Sequence, residues 1–170
     1  WSERLKTAQP TYKDVSVDIE WKKFSDFKGW MQSQMWQSLD LDKDILVPGN
    51  KVYSSTTCCF VPQWLNKFVS TGSPDSSYPL GVRYHIEEGR NKAYYAQVCK
   101  IDGRGRHAGC FYTPEEAHRA YQLEKAEQAE KAILKYMLEP CYRQDVANAI
   151  YLRAEMLRDD HANHRETFSL

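Results

Sequence analysis

Apolar residues recur at two different spacings along this chain, and the change of spacing divides it. In EWKKFSDFKGW, residues 20–30, the aromatics Trp21, Phe24, Phe27 and Trp30 fall three apart, which predicts an amphipathic helix with an aromatic core face. The stretch LDLDKDILVPGNKVYSSTTCCFVPQWLNKFV, residues 39–69, reads as a strand, a turn at Pro48-Gly49-Asn50, a second β piece at 51–53 and a short helix over 62–69. Ser, Gly and Pro crowd into STGSPDSSYP, residues 70–79, and mark a loop between modules. Beyond it come short β-type runs at 81–85, 94–101 and 107–112. They are separated by EEGRN and by Asp102-Gly103, a hairpin signal, and together predict an antiparallel meander.

Helical spacing then returns. Thr113 is placed to be an N-cap, Pro114 the first helical residue, and Glu116 the reciprocal partner of a capping box. Ala117, Ala120 and Tyr121 form one apolar patch, and Ile133, Tyr136 and Met137 repeat it. The helix should end before Pro140. A last helix is predicted over roughly 142–157, followed by a polar, frayed tail. The fold class is α+β: an N-terminal module over 1–70, a linker at 71–79, a three-stranded sheet packed on a helix over 80–138, and a C-terminal helix with tail over 139–170.

Composition narrows the class. Of 170 residues, 42% are hydrophobic and 27% charged, too apolar and too balanced for a disordered chain. No apolar run approaches the ~18 residues of a helical membrane span, so no membrane partner is expected and the protein reads as soluble. Lys and Arg number 23, as do Asp and Glu, so the net charge is zero. The zero conceals a division: residues 83–110 carry six basic and three acidic groups, whereas 111–170 carry eight and eleven. Cys58, Cys59, Cys99, Cys110 and Cys141 are odd in number and lack CxxC spacing, which predicts free, buried thiols in a reducing compartment and no zinc. The chain opens on Trp1, and the natural protein is expected to begin earlier.

Two stretches resemble known families. LDKD, GNKVYSSTTCCFV and QWLN, within residues 41–66, resemble the ββα-metal core of HNH endonucleases of the phage homing-endonuclease branch. PTYKDVSVDIEW upstream resembles the segment that precedes that core. The resemblance implies a divalent ion, Mg²⁺ or Mn²⁺, held by Asp42 and Asn66, with Lys43 where the catalytic His stands and Thr57 where the central Asn stands. No His precedes His85, and a lysine flanked by Asp42 and Asp44 stays a cation. It suits phosphate or leaving-group stabilisation better than base catalysis. Asp44, two residues along a strand from Asp42, is either a second ligand, a water-activating base or a solvated turn residue. Asn50 reads as a turn residue.

GVRYH, KAYYAQV, HAGCF and TPEEAHRAY, within residues 81–121, resemble the three-stranded DNA-binding domain of plant ethylene-response factors, which also occurs at the C-terminus of phage HNH proteins. Arg83 and Tyr94 match its first-strand arginine and second-strand aromatic, while Cys99 replaces a frequent arginine. Val82, Tyr84, Tyr95 and Val98 are the packed or edge set. Arg83, His85, Tyr94, Gln97, Lys100, Arg104, Arg106 and His107 are the candidates for double-stranded DNA. His118 reads as a packing or surface residue. The expected function is a Mg²⁺-dependent endonuclease of phage origin, acting in the host cytoplasm. The alternative is a catalytically impaired descendant that regulates through DNA or a protein partner.

Overall fold

The computed structural model describes residues 14–70, 77–85, 91–99, 101 and 105–168, with the backbone alone of residue 106. The architecture is α+β, as expected. The chain forms two compact units that meet in sequence between Gln63 and Trp64. The sequence had suggested a boundary at 70–79, and residues 71–76 of that linker lie outside the described residues.

In the first unit, β1 (Ser16–Val17) pairs in parallel with β3 (Val52–Tyr53), and β2 (Asp40–Asp42) pairs antiparallel with β4 (Cys59–Val61). Val15, Trp21, Ile45, Cys58, Cys59, Phe60 and Val61 are buried. The predicted aromatic helix is split. Glu20–Lys22 make one 3₁₀ turn, Lys23 is extended, and α1 runs over Phe24–Gln32. That break resets the helical phase, so Phe24 stays 71% exposed while Trp21 is buried against Phe27 and Trp30 at ring separations of 5.1 and 4.5 Å. Trp30 stacks in turn on Phe60 at 5.5 Å, which ties α1 to β4.

The second unit takes α2 (Gln63–Val69) from Trp64 onward, then β5 (Val82–Tyr84), β6 (Tyr94–Cys99) and β7 (Gly105–Phe111). It ends with α3 (Pro114–Tyr136) and α4 (Gln144–Ala162). The sheet is antiparallel in the order β5-β6-β7, with Val82 opposite Ala96. Val82, Ala96 and Val98 are buried on the side that α3 covers. Ala117, Ala126, Ala129 and Ala132 are small enough to let α3 approach the sheet and α4 closely, and Val146, Ala147, Ala149, Ile150, Arg153, Ala154 and Leu157 are the buried residues of α4.

The capping signal holds at the start of α3. Thr113 Oγ1 accepts the Glu116 N–H at 3.2 Å, while Glu116 Oε2 accepts the N–H of Tyr112 at 3.1 Å, one residue before the cap. At Gly81 the backbone has φ +78°, and a Cβ would fall inside the Tyr121 ring, so this position requires glycine.

Three features of the second unit depart from the sequence reading. Residues 64–69 belong with the helices because α2 packs on them. Trp64 Nε1 donates to Glu139 at 3.0 Å, and Lys125 Nζ donates to the Phe68 carbonyl at 2.5 Å over the Phe68 ring. The C-terminal helix extends to Ala162. The tail beyond it is docked rather than frayed, with Thr167 1% exposed. Thr167 donates its N–H to His118 Nε2 at 3.0 Å and its hydroxyl to Asp160 at 2.8 Å, and Gln122 Nε2 donates to the Arg165 carbonyl at 2.9 Å. Buried partners on α3 satisfy the backbone groups of a segment that looked fully solvated.

Two stability predictions follow from these contacts. Gly81→Ala should destabilise the protein by at least about 2 kcal/mol in urea unfolding, because the ring and the backbone angle both oppose a side chain. Burial pushes the Lys125 amine down from 10.5 to about 8. The fold therefore binds fewer protons than the unfolded chain between those values, and stability rises with pH across that window. Measured at pH 7.5 and again at pH 10, unfolding midpoints should move in favour of wild type relative to Lys125→Met.

Candidate functional site

Strand alternation sorts the sheet domain into two faces. On the side away from the helix, Arg83 lies opposite Tyr95, Tyr95 opposite Cys110, and Gln97 opposite His107. Arg83 Nε donates to Gln97 Oε1 at 3.4 Å, and the Tyr95 and His107 rings stack at 5.3 Å. Arg83, Gln97 and His107 are exposed and Tyr95 and Cys110 half-buried, and none of the five is acidic. His85 is also exposed, at the end of β5, with its N–H donated to the Ala93 carbonyl at 2.8 Å.

Tyr94 and Tyr95 exchange the positions the sequence reading gave them. Tyr94 sits opposite Tyr84, on the same side as Ala96, and clusters with Tyr78 and Tyr84 at 5.5 and 5.3 Å. Tyr95 joins the open face instead. Adjacent aromatics in a strand must point oppositely, and the depth of Ala96 and Val98 decides which one turns inward. Lys100 and Arg104 lie outside the described residues, as does the side chain of Arg106, whose backbone pairs with Val98.

The register also shifts within β7. Between the pairs Tyr95–Cys110 and Gln97–His107, β7 has two residues where β6 has one. Gly109, at φ +127°, takes up the extra residue as a bulge. A glycine inside a β-type run is the signal in the sequence for this feature, and it determines that Cys110 shares the face of His107.

The first unit holds Asp42, Lys43 and Asp44 where β2 leaves its pairing with β4. Asp42 is 8% exposed, and its Oδ1 accepts the N–H groups of Asp44 at 2.8 Å and Ile45 at 2.7 Å. Burial, followed by the charge of Asp44, holds its carboxyl above the ordinary value, and the two N–H bonds oppose that rise. Lys43 Nζ pairs with Asp44 Oδ2 at 2.7 Å.

Asn50 does more than turn the chain. Its Nδ2 donates to the carbonyls of Lys43 and Val52, both at 2.7 Å, which fixes the loop that carries the acidic pair. Thr57 is an internal brace: its hydroxyl donates to the Val52 carbonyl at 2.8 Å and lies 2.8 Å from the Ser54 hydroxyl. Burial pushes the neighbouring Cys58 thiol up to about 11, which leaves it protonated and inert. Asn66 is carried by α2, counted with the second unit, and its carbonyl accepts from Ser70.

Among the described residues, no three His, Cys, Asp or Glu side chains gather in one group. Asp42 and Asp44 are neighbouring carboxylates of the first unit, and the charge of Asp44 bears on Asp42. One Asp42 oxygen is already committed to backbone N–H groups. Carboxylate oxygens are hard donors, the type that oxygen-preferring ions take.

His118, 3% exposed, is structural: with Nε2 accepting from Thr167, its proton resides on Nδ1, which donates to the Leu80 carbonyl at 2.8 Å. No protein-family model matches the chain, and neither do any curated protein or solved structure.

The two roles open to Asp42 separate by substitution. Asp42→Ala should cost about 1–3 kcal/mol by stranding the buried Ile45 N–H, whereas Asp42→Asn keeps an acceptor oxygen and the fold. A carboxyl held above its ordinary 3.8 favours the folded state most at low pH, and that contribution is lost as pH rises through the folded value. Between pH 4 and 7, thermal midpoints should therefore shift in favour of Asp42→Asn relative to wild type.

Proposed function

We propose that the protein binds double-stranded DNA through the open face of the β5-β6-β7 sheet, and that it is a homing-endonuclease-like protein of the phage HNH type. The observation that carries the reading is the face itself. Arg83, Gln97 and His107 project from one side of a three-stranded sheet whose other side is packed on α3, and among the described residues none of those paired on that side is acidic. Arginine and glutamine supply the donor and acceptor pairs that read base edges, and the basic excess of residues 83–110 suits phosphates. Tyr95 joins this set by its position, and Tyr94 leaves it.

The nuclease half of the proposal rests on the resemblance carried by residues 41–66 and on the acidic pair where β2 ends. Asp42 and Asp44 would hold Mg²⁺, which when bound supplies charge stabilisation at the scissile phosphate. Lys43, half of an ion pair with Asp44, is a cation available to the phosphate or the leaving oxygen. The alternative is an impaired descendant that binds DNA without cutting it. The use of Asp42 Oδ1 as a backbone acceptor favours that alternative, because it gives the residue a structural reason to be present.

Plasmid assays with Mg²⁺ or Mn²⁺ distinguish the two. The endonuclease reading expects cleavage by wild type and none by Asp42→Asn, while binding without cleavage in either metal supports the impaired descendant. In gel shifts on duplex DNA, Arg83→Ala combined with Gln97→Ala should weaken affinity roughly tenfold or more, and loss of Arg83 should lower the slope of log affinity against log salt by about 1. Unchanged affinity would reject this face.

A further inference from the structure

The β7 bulge brings together two side chains that regular alternation would separate. Residues three apart on a strand point to opposite faces. With the extra residue taken up at Gly109, His107 and Cys110 share the open face, and Cys110 Sγ lies 3.4 Å from His107 Nε2. The Tyr95 ring stacks on the imidazole at 5.3 Å and holds its plane. Cys58, Cys59 and Cys141 are buried, Cys99 and Cys110 are half-exposed, and Cys110 has the His107 imidazole beside it.

We propose that Cys110 is a modification site for small disulfides, with His107 as its base. When His107 carries its proton on Nδ1, the thiol donates to Nε2. As the thiol proton passes to Nε2, the Cys110 thiolate attacks one sulfur of the disulfide. The Cys110–sulfur bond forms as the reagent's S–S bond breaks. The departing thiolate leaves with the electron pair, and the imidazolium gives its proton to water, or to that thiolate where the reagent's thiol is weakly acidic. Cys110 is oxidised and one reagent sulfur is reduced, so atoms and electrons balance without a further oxidant. The inference does not depend on DNA binding, because it concerns only the pair and its access.

The test uses the full chain and the aromatic disulfide 5,5′-dithiobis(2-nitrobenzoate), followed by released thiolate, with the labelled residue located by peptide mass spectrometry. Cys110 should label first. His107→Phe keeps a ring against Tyr95 and His107→Gln keeps a polar side chain, but neither offers the imidazole base. Both should label roughly tenfold more slowly at pH 7 and match wild type near pH 10, where thiols ionise unaided. Prior labelling of Cys99 or any other cysteine would overturn the proposal. So would equal rates at pH 7 in variants with wild-type circular dichroism, or a deficit that persists undiminished at pH 10.

Discussion

The second unit depends on one constraint: α3 buries polar side chains, and their donor groups must find acceptors. His118, Gln122, Lys125 and Gln128 are all 5% exposed or less. An unpartnered amide, imidazole or ammonium at that depth would cost more than a typical packing contact gains. Gln128 is satisfied within α3 by Glu124, and the partners of the other three are the joints of the unit. His118 holds the carbonyl of Leu80, just ahead of β5, and the N–H of Thr167 near the end of the chain. Gln122 holds Arg165 and Thr167, and Lys125 holds the last turn of α2 through the Phe68 carbonyl. One helix thus fixes the start of the sheet, the C-terminal segment and α2 by directional bonds, while its alanines supply close approach.

The open face inherits its order from that backing. Val82, Ala96 and Val98 are drawn toward α3, so their strand neighbours Arg83, Tyr95 and Gln97 must point away. The bulge at Gly109 then changes what the third strand contributes. Without it, His107 and Cys110 would occupy different faces; with it, Tyr95, His107 and Cys110 form a connected row. The chemistry available on this face follows from a single extra residue in one strand.

The first unit is organised by a loop rather than by long elements. Its strands are two or three residues each, so side-chain bonds hold the shape between them. Asp42 caps the turn after β2, Asn50 spans from Lys43 to Val52, and Thr57 ties Val52 to Ser54. The same carboxylate that could serve a metal already serves the backbone, so structure and chemistry converge on one residue.

Local signals in the sequence determined much of this. Thr113-Pro114 starts α3 because a cap and a proline act within one turn. The β-type runs of the sheet, the turn at Gly49 and the strand carrying Asp42 were legible for the same reason. Tertiary packing decided the rest. Helical spacing over 21–30 could not reveal that Lys23 breaks the helix. The polar residues of 159–168 could not reveal that buried partners await them on α3. The sequence placed Arg83, Gln97 and His107 on candidate strands, but the depth of Ala96 chose Tyr95 over Tyr94, and the bulge chose Cys110. Burial and register are properties of the assembled sheet, and no local spacing encodes which face a neighbouring helix will cover.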